Sequence, residues 1–480
     1  MSEKLNVCLL NDSFPPVIDG VANAVVNYSK IIQQNYGNVI VATPEYPNVI
    51  DNYDFQVYRY PSINTTKLVG YRAGMPFDLN YLNKFNTNNV DILHSHCPVA
   101  STFLARILRD KIHKPIVFTY HTKFDIDLAR AVDSKFIQEA AIKLLVENIE
   151  SCDDIWVVSQ GAGENLKSLG FKGNYTVMHN GVDFAKGKSN QNEIDEIKHK
   201  YNLQDHIPTY LFVGRMMWYK GLKIIIDALR QKKNANQDFR MLFVGDGGDI
   251  REVQQYVIDN DLSDKCIFAG AISDRNKLKA IFSACDIFLF PSTFDTNGIV
   301  VREAAAAGLG TILIKGSCAA EDTIDGENVI QIEENADCLA EVLIKNNNNI
   351  NYYHQIGENA QKQLYLSWED AVKTAVERYY EILKDYHYEP KNKKETDLQD
   401  NFFSMWAQLS NGLEKARQTR SLFEVKHNEQ KNKWENLPIN QKINTFLEEQ
   451  RQKSIENFNK IHTGKEEIEK TIADYLDRYL

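Results

Sequence analysis

No CxxC pair and no metal-finger spacing occurs among the seven cysteines, Cys8, Cys97, Cys152, Cys266, Cys285, Cys318 and Cys338. They are scattered and odd in number, and several sit in apolar runs, where Cys behaves as a small buried hydrophobe. A disulfide framework is not expected, and a reducing, cytoplasmic compartment is. Long apolar runs are missing too. None approaches the roughly 20 residues of a membrane-spanning helix. Leu5–Leu10 is too short for a signal peptide and runs into Asn11 and Asp12. Positive charge is in deficit: 55 Lys and Arg against 65 Asp and Glu give a formal net charge of -10, which argues against nucleic acid as a partner. The Gly-rich run Val244-Gly-Asp-Gly-Gly248 lacks both the Lys-Ser/Thr of a P-loop and the spacing of GxGxxG. His94, His96 and His121 lie at strand ends, yet no further ligand completes a zinc site, so no metal is expected.

What remains is a soluble, globular composition, 43% hydrophobic and 25% charged over 480 residues, long enough for two or three domains. Short apolar strands alternate with helical runs. Leu5–Leu10, Asp91–His94, Ile116–Tyr120, Ile155–Val158 and Tyr175–Met178 read as strands, Val21–Gln34 and Val99–Lys111 as helices. The polar stretch Lys186–Asn192 reads as a linker. Alternation then resumes with strands at Tyr210–Val213, Phe239–Val244 and Ile287–Leu289, and helices at Gly221–Gln231 and Ile250–Ile258. The pattern predicts two α/β domains in tandem, residues 1–185 and 193–366, each with a parallel sheet covered on both faces. Such sheets bind ligands beyond the carboxyl ends of their strands, so two of them face to face enclose a cleft. Past residue 365 the strands stop. Trp368–Tyr386 is a helix with Ala371, Ala375, Tyr379 and Ile382 along one side, and 387–480 is a polar, helical extension. Its apolar stripes are Phe402, Met405, Trp406, Leu409 and Leu413, and Ile468, Ile472, Tyr475 and Tyr479. Asn346–Asn349 reads as a surface loop.

Three stretches carry chemistry. Pro291-Ser-Thr-Phe-Asp-Thr-Asn-Gly-Ile-Val-Val-Arg-Glu303 follows a strand and places Asp295 ahead of a helix start and Glu303 just inside it. The open N–H groups of that start suit a phosphate or a sugar oxygen. Phe212-Val-Gly214-Arg215-Met-Met-Trp-Tyr-Lys220-Gly221 ends a strand in glycine and follows it with two cations able to neutralise a diphosphate. Asp12-Ser-Phe-Pro-Pro-Val-Ile-Asp-Gly20 leads the first strand into its helix, and Thr119-Tyr-His121-Thr directs His121 toward the cleft.

Taken in order with His179-Asn-Gly-Val-Asp183 and Glu303-Ala-Ala-Ala-Ala-Gly308, these motifs resemble the retaining glycosyltransferases of family 4 over about residues 4–386. The chain looks most like the bacterial glycolipid enzymes of that family, diacylglycerol glucosyltransferases and phosphatidylinositol mannosyltransferases. The resemblance implies a GT-B fold: two Rossmann-like domains facing a cleft, the first completed by the helix 368–386. It implies transfer of a hexose from a UDP-glucose or GDP-mannose type donor to an acceptor hydroxyl, a membrane lipid such as diacylglycerol among the candidates, with no metal or other cofactor. By similarity, Arg215 and Lys220 bind the donor diphosphate, with Gly214 at the strand end, and the backbone of Gly298, Ile299 and Val300 binds phosphate. Glu303 binds the ribose hydroxyls and Ile272 lies beside the base. Asp295 contacts the transferred sugar, with His121 and Gly20 near the sugar and the β-phosphate. Asp295 stands where the family usually has Glu, so charge is kept and reach is shortened.

Two other functions compete: a nucleotide-sugar epimerase on the same fold, and a non-catalytic sugar-nucleotide-binding scaffold with the extension as its interaction module, which would need a broken donor site although Arg215, Lys220, Asp295 and Glu303 are all present. The glycolipid resemblance adds one spatial expectation, a peripheral position at the inner face of the membrane. On the helix Val99–Lys111, Arg106, Arg109 and His113 fall opposite the apolar face, with Lys114 close after, and are expected to face an anionic membrane surface.

Overall fold

The computed structural model describes residues 4–388 apart from 18, 67–71, 78–80, 83–84, 86–88, 126–134 and 296–297. The apolar stripes expected at 402–413 and 468–479, and the turn residue Asn297, lie outside the described residues. A large compact unit holds residues up to 76, 89–105 and 114–386. A small one gathers Arg106–His113 with described residues of 77–88 and with His387 and Tyr388.

The first sheet of the large unit contains β1 (Leu5–Leu10), β2 (Gly37–Pro44), β3 (Gln56–Tyr60), β4 (Ile92–Ser95), β5 (Ile116–Tyr120), β6 (Asp154–Val157) and β7 (Thr176–Val177). Their order is β3-β2-β1-β4-β5-β6-β7 and every pairing is parallel. Its middle strands are buried throughout, as a sheet covered on both faces requires. Helix α1 (Gly20–Asn35) leaves β1 through an Asp19 cap that accepts the Ala22 N–H at 2.7 Å. Strands β2 and β3 escape the sequence reading. Tyr36 alone separates α1 from β2, so only the single Gly37 marks the change of period.

The second sheet contains β8 (Thr209–Val213), β9 (Arg240–Val244), β10 (Cys266–Gly270), β11 (Ile287–Phe290), β12 (Gly310–Ile314) and β13 (Ile330–Ile332), in the order β10-β9-β8-β11-β12-β13. Third-second-first-fourth is the doubly wound order, and the first sheet begins the same way. The strand order therefore reverses between β1 and β4 in one sheet and between β8 and β11 in the other. The stretch expected as a linker up to Asn192 ends earlier. Asn190 and Glu193 form a capping box, and the helix Gln191–Tyr201 begins there; polar residues that look like linker are a helix start.

The helix Trp368–Asp385 crosses back onto the first sheet. Trp368, Val372, Ala375, Val376 and Tyr379 share one apolar cluster with Leu9, Val25, Ile32, Val117 and Trp156. A β-bridge between Val182 and Ser367 lays the two crossings side by side. Inside this cluster His94 uses both ring nitrogens, Nδ1 with the Tyr379 hydroxyl and Nε2 with Thr119 Oγ1 at 2.7 Å. Tyr379→Phe keeps the packing and orphans one buried nitrogen, so a loss of about 1–3 kcal/mol in unfolding free energy is expected by denaturant titration.

The helix Ala100–Ile112 departs from expectation on its outer side. Leu104, Ile107 and Leu108 are buried as an inner face should be, but Arg106 is only 2% exposed and the Arg109 side chain 11%. In the small unit the surroundings are occupied: Lys111 Nζ donates to the Leu82 carbonyl at 3.4 Å, and the His113 ring stacks on Tyr388 at 4.0 Å. Arg106 and Arg109 are therefore largely covered while His113 stays exposed, so the expected outward cationic stripe is broken at its first two positions.

Candidate active site

The site begins where the second sheet reverses its order. β8 and β11 are parallel neighbours, and the loops after them run together. After β8, the Gly214 N–H donates to the Val244 carbonyl at 3.0 Å, and residues Trp218–Lys220 form a short 3-10 turn. Gly221 ends that turn at φ +77, and a Cβ there would stand 2.0 Å from the Pro291 carbonyl oxygen. Only glycine permits this approach, which holds the Lys220 loop against the start of the Asp295 loop. Lys220 is buried, with its ammonium on the Asp295 carboxylate. Its Nζ also lies 5.6 and 5.7 Å from the ring centroids of Tyr219 and Phe294. Ser292 donates to the second Asp295 oxygen at 2.6 Å. Arg215 is exposed at the loop's outer side, 6.0 Å from the Tyr219 ring. A lysine ammonium has three donors and the carboxylate takes one, so the pair can engage an anion without breaking.

The helix after β11 covers Ile299–Ala306 and starts from Gly298 at φ +58. Among the described residues no side chain caps it, and its first N–H groups, at Ile299 and Val300, form the partial positive end of the helix dipole. Glu303, one turn in, is buried, and Arg275 at the start of the helix Arg275–Ala284 donates to its Oε1. Burial pushes the Glu303 carboxyl above the ordinary carboxylate range, Arg275 pulls it back down, and Asp183 pushes it up again. Ile272, at the end of the strand before Arg275, is half-buried against the same apolar cluster as Ile299 and Val300.

The first domain supplies the other wall. A Cβ on Gly20 would lie 3.9 Å from Ile299 Cδ1, so the start of α1 stands beside the uncapped helix start. His121 follows β5 and His96 follows β4; His96 Nδ1 and His121 Nε2 are 2.9 Å apart, one donating and the other accepting. Burial pushes the His121 imidazole down to about 3, and it also lowers His94 and His96 well below the ordinary histidine range. All three are neutral at pH 7. Unfolding restores ordinary histidines, so the unfolded chain binds more protons below pH 6.5 and stability falls as pH is lowered from there toward 3. The thermal midpoint is expected to drop steadily over this window, and His121→Asn to flatten the slope; a midpoint independent of pH between 6.5 and 5 would contradict neutral buried imidazoles.

The domains also meet away from these residues. Glu321 accepts the Gly161 N–H at the start of the helix Gln160–Ser168. Arg302, next to Glu303, donates to the Leu364 carbonyl and to Asp322, both at 3.1 Å, and Asp322 pairs with His179 at 3.3 Å.

The sequence motifs therefore converge in two groups. Gly214, Arg215, Lys220, Asp295, Gly298, Ile299, Val300 and Glu303 share the second domain's strand ends, with Gly20 against them; His121 joins His96 in the first domain. The direct Lys220–Asp295 pairing is new, and so are Arg275, Asp183 and Arg302. Asp183 lay in a quoted motif without a role, and nothing local marks an arginine 28 residues before its carboxylate partner. Among the described residues no group of three His, Cys, Asp or Glu side chains is placed to hold a metal ion. No described helix is long and apolar enough to cross a membrane.

Comparison with known proteins agrees with this geometry. Residues 18–186 match the family model for Glycosyltransferase Family 4, and residues 193–363 the model for glycosyl transferases group 1. An alpha-monoglucosyldiacylglycerol synthase from Acholeplasma laidlawii is 24% identical over 402 residues, covering 81% of this chain and 100% of the relative. The enzyme of that name from Streptococcus pneumoniae is 21% identical over 312 residues, covering 64% of this chain and 70% of its own. Among solved structures, Anabaena HepE in complex with UDP superposes with a TM-score of 0.65 at 17% identity, covering 78% of this chain and 100% of that one.

Proposed function

With the chain belonging to the family 4 glycosyltransferases and carrying their GT-B fold, we propose that it is a retaining hexosyltransferase. It takes a hexose from a UDP-glucose or GDP-mannose type donor and delivers it to an acceptor hydroxyl, a membrane lipid such as diacylglycerol being the favoured class. The observation that carries this reading is the Lys220–Asp295 pair beside an uncapped helix start and a buried Glu303. The curated relatives named as glucosyldiacylglycerol synthases support the lipid acceptor, and a lipid acceptor in turn calls for a peripheral place at the inner face of the membrane.

In this mechanism Glu303 accepts the ribose hydroxyls and Ile272 flanks the base. The N–H groups of Ile299 and Val300 hold the phosphates with Arg215 and Lys220, while Gly20 leaves room for the β-phosphate. The acceptor oxygen bonds to the anomeric carbon on the face from which the diphosphate leaves. The bond from that carbon to the phosphate oxygen breaks, and the acceptor's proton passes to a departing phosphate oxygen. Fixed positive charge near that oxygen lowers the barrier without a metal ion. Asp295 and His121 hold the hexose, and His121, neutral at pH 7, does so without adding charge.

The test is a panel of UDP- and GDP-sugars with dispersed diacylglycerol. At 100 times its dissociation constant the donor should add about 2.7 kcal/mol of stability. Transfer should survive EDTA, since no step uses a metal. Epimerisation of the sugar on an otherwise intact donor would favour the epimerase reading, and donor binding with neither transfer nor hydrolysis the scaffold; either sinks the transferase proposal.

A further inference from the structure

Arg275 answers to no motif, yet it stands at the centre of a charged chain through the nucleotide side of the site. Its Nη2 donates to Glu303 Oε1, and its Nε lies 3.5 Å from Asp183 Oδ2. The guanidinium rests over the Phe184 ring, 4.5 Å from the centroid. Asp183 is itself held from the first domain: Asn23 and Asn27 of α1 donate to its two oxygens at 3.2 and 3.0 Å. The guanidinium is thus held by three groups, two carboxylates and an aromatic ring. Its side chain is nonetheless 41% exposed, so the fork is held in place and still reachable from solvent.

We propose that Arg275 is a positioning residue for the donor, holding Glu303 ionised and aimed so that its carboxylate, and not a neutral acid, receives the ribose diol; Arg275 thereby sets the preference for ribonucleotides over deoxyribonucleotides. This rests on the assignment of Glu303 to the ribose. The chemistry follows from the surroundings of Glu303. Burial disfavours its charge and Asp183 disfavours it further. Arg275 is the cation that opposes both, since Arg302 on the same helix is turned to Asp322 and His179. A carboxylate accepts two hydroxyl protons at full strength, whereas a protonated acid offers one good acceptor and hydrogen bonds of roughly half the strength. Arg275 keeps further donors on its fork after Nη2 is committed, so the pair remains able to meet a diol.

The experiment is titration calorimetry of the full chain with UDP and GDP and with their 2′,3′-dideoxy analogues, at pH 6 and pH 8.5, using wild type, Arg275→Ala and Arg275→Lys. Wild type should prefer the ribonucleotide at both pH values. Arg275→Ala should lose about tenfold of that preference at pH 6, as Glu303 protonates, and recover much of it at pH 8.5 as the acid ionises. Arg275→Lys restores a cation and should restore the preference at pH 6. The dideoxy analogues should bind all three proteins alike, which a general collapse of the pocket would not allow. A ribonucleotide preference present in wild type and unchanged in Arg275→Ala overturns the role of Arg275 alone. Equal binding of ribo and dideoxy forms by wild type, or no binding of either nucleotide, overturns the ribose assignment and this inference with it.

Discussion

Lys220→Ala should lower turnover by about two to three orders of magnitude at saturating donor, the usual cost of losing one preorganised charge contact at a leaving group. The structure sharpens this expectation. Lys220 is buried, pinned by the Gly221 approach to Pro291, and already paired with Asp295. Its ammonium needs no reorganisation when charge develops on the departing phosphate. Arg215, exposed and held only loosely near Tyr219, should matter less, by about tenfold in the same assay, because an exposed cation is partly screened by solvent. Removing Lys220 also leaves Asp295 without its cation, so thermal unfolding must be read beside the kinetics. Turnover within a few-fold of wild type in a folded Lys220→Ala protein would remove this residue from the mechanism.

The second large effect separates the two acids. Glu303→Ala should weaken binding of the free nucleotide by about a hundredfold or more, because two hydrogen bonds to a charged group are lost together. Asp295→Asn should bind the same nucleotide within about twofold, since its amide oxygen still accepts from Lys220 and its NH2 can donate to the Ser292 hydroxyl, and should lose transfer by about a hundredfold. Calorimetry with the nucleotide and a transfer assay measure the two independently. Equal losses in both measurements for both variants would mean that Asp295 and Glu303 act as one unit, contrary to the roles proposed for them.

The alternation of apolar strands and helices shows two α/β domains from local signals alone, since a strand buried on both faces must be a continuous apolar run. The order of motifs likewise shows which loops stand at strand ends. Where local signals are weak the reading thins out. β2 passes unnoticed because a single glycine marks the change from helix to strand, β3, β10, β12 and β13 are likewise missing from the reading, and Asn190 looks like linker because capping residues are the same polar residues that linkers use.

Other features depend on residues far apart in the chain. Lys220 meets Asp295 across 75 positions, Arg275 meets Glu303 across 28, and His94 meets Tyr379 across 285. Arg106 looks like a surface cation by helical spacing and is buried, because periodicity shows which face of a helix is polar and not what packs over that face. The sequence by itself determined the fold class, the strand-end loops and the charged residues those loops carry, all of which are short-range properties. The tertiary structure alone decided which cation neutralises which carboxylate, because ionisation and aim depend on burial and on partners that parallel pairing at β8 and β11 and the return of the last helix bring together.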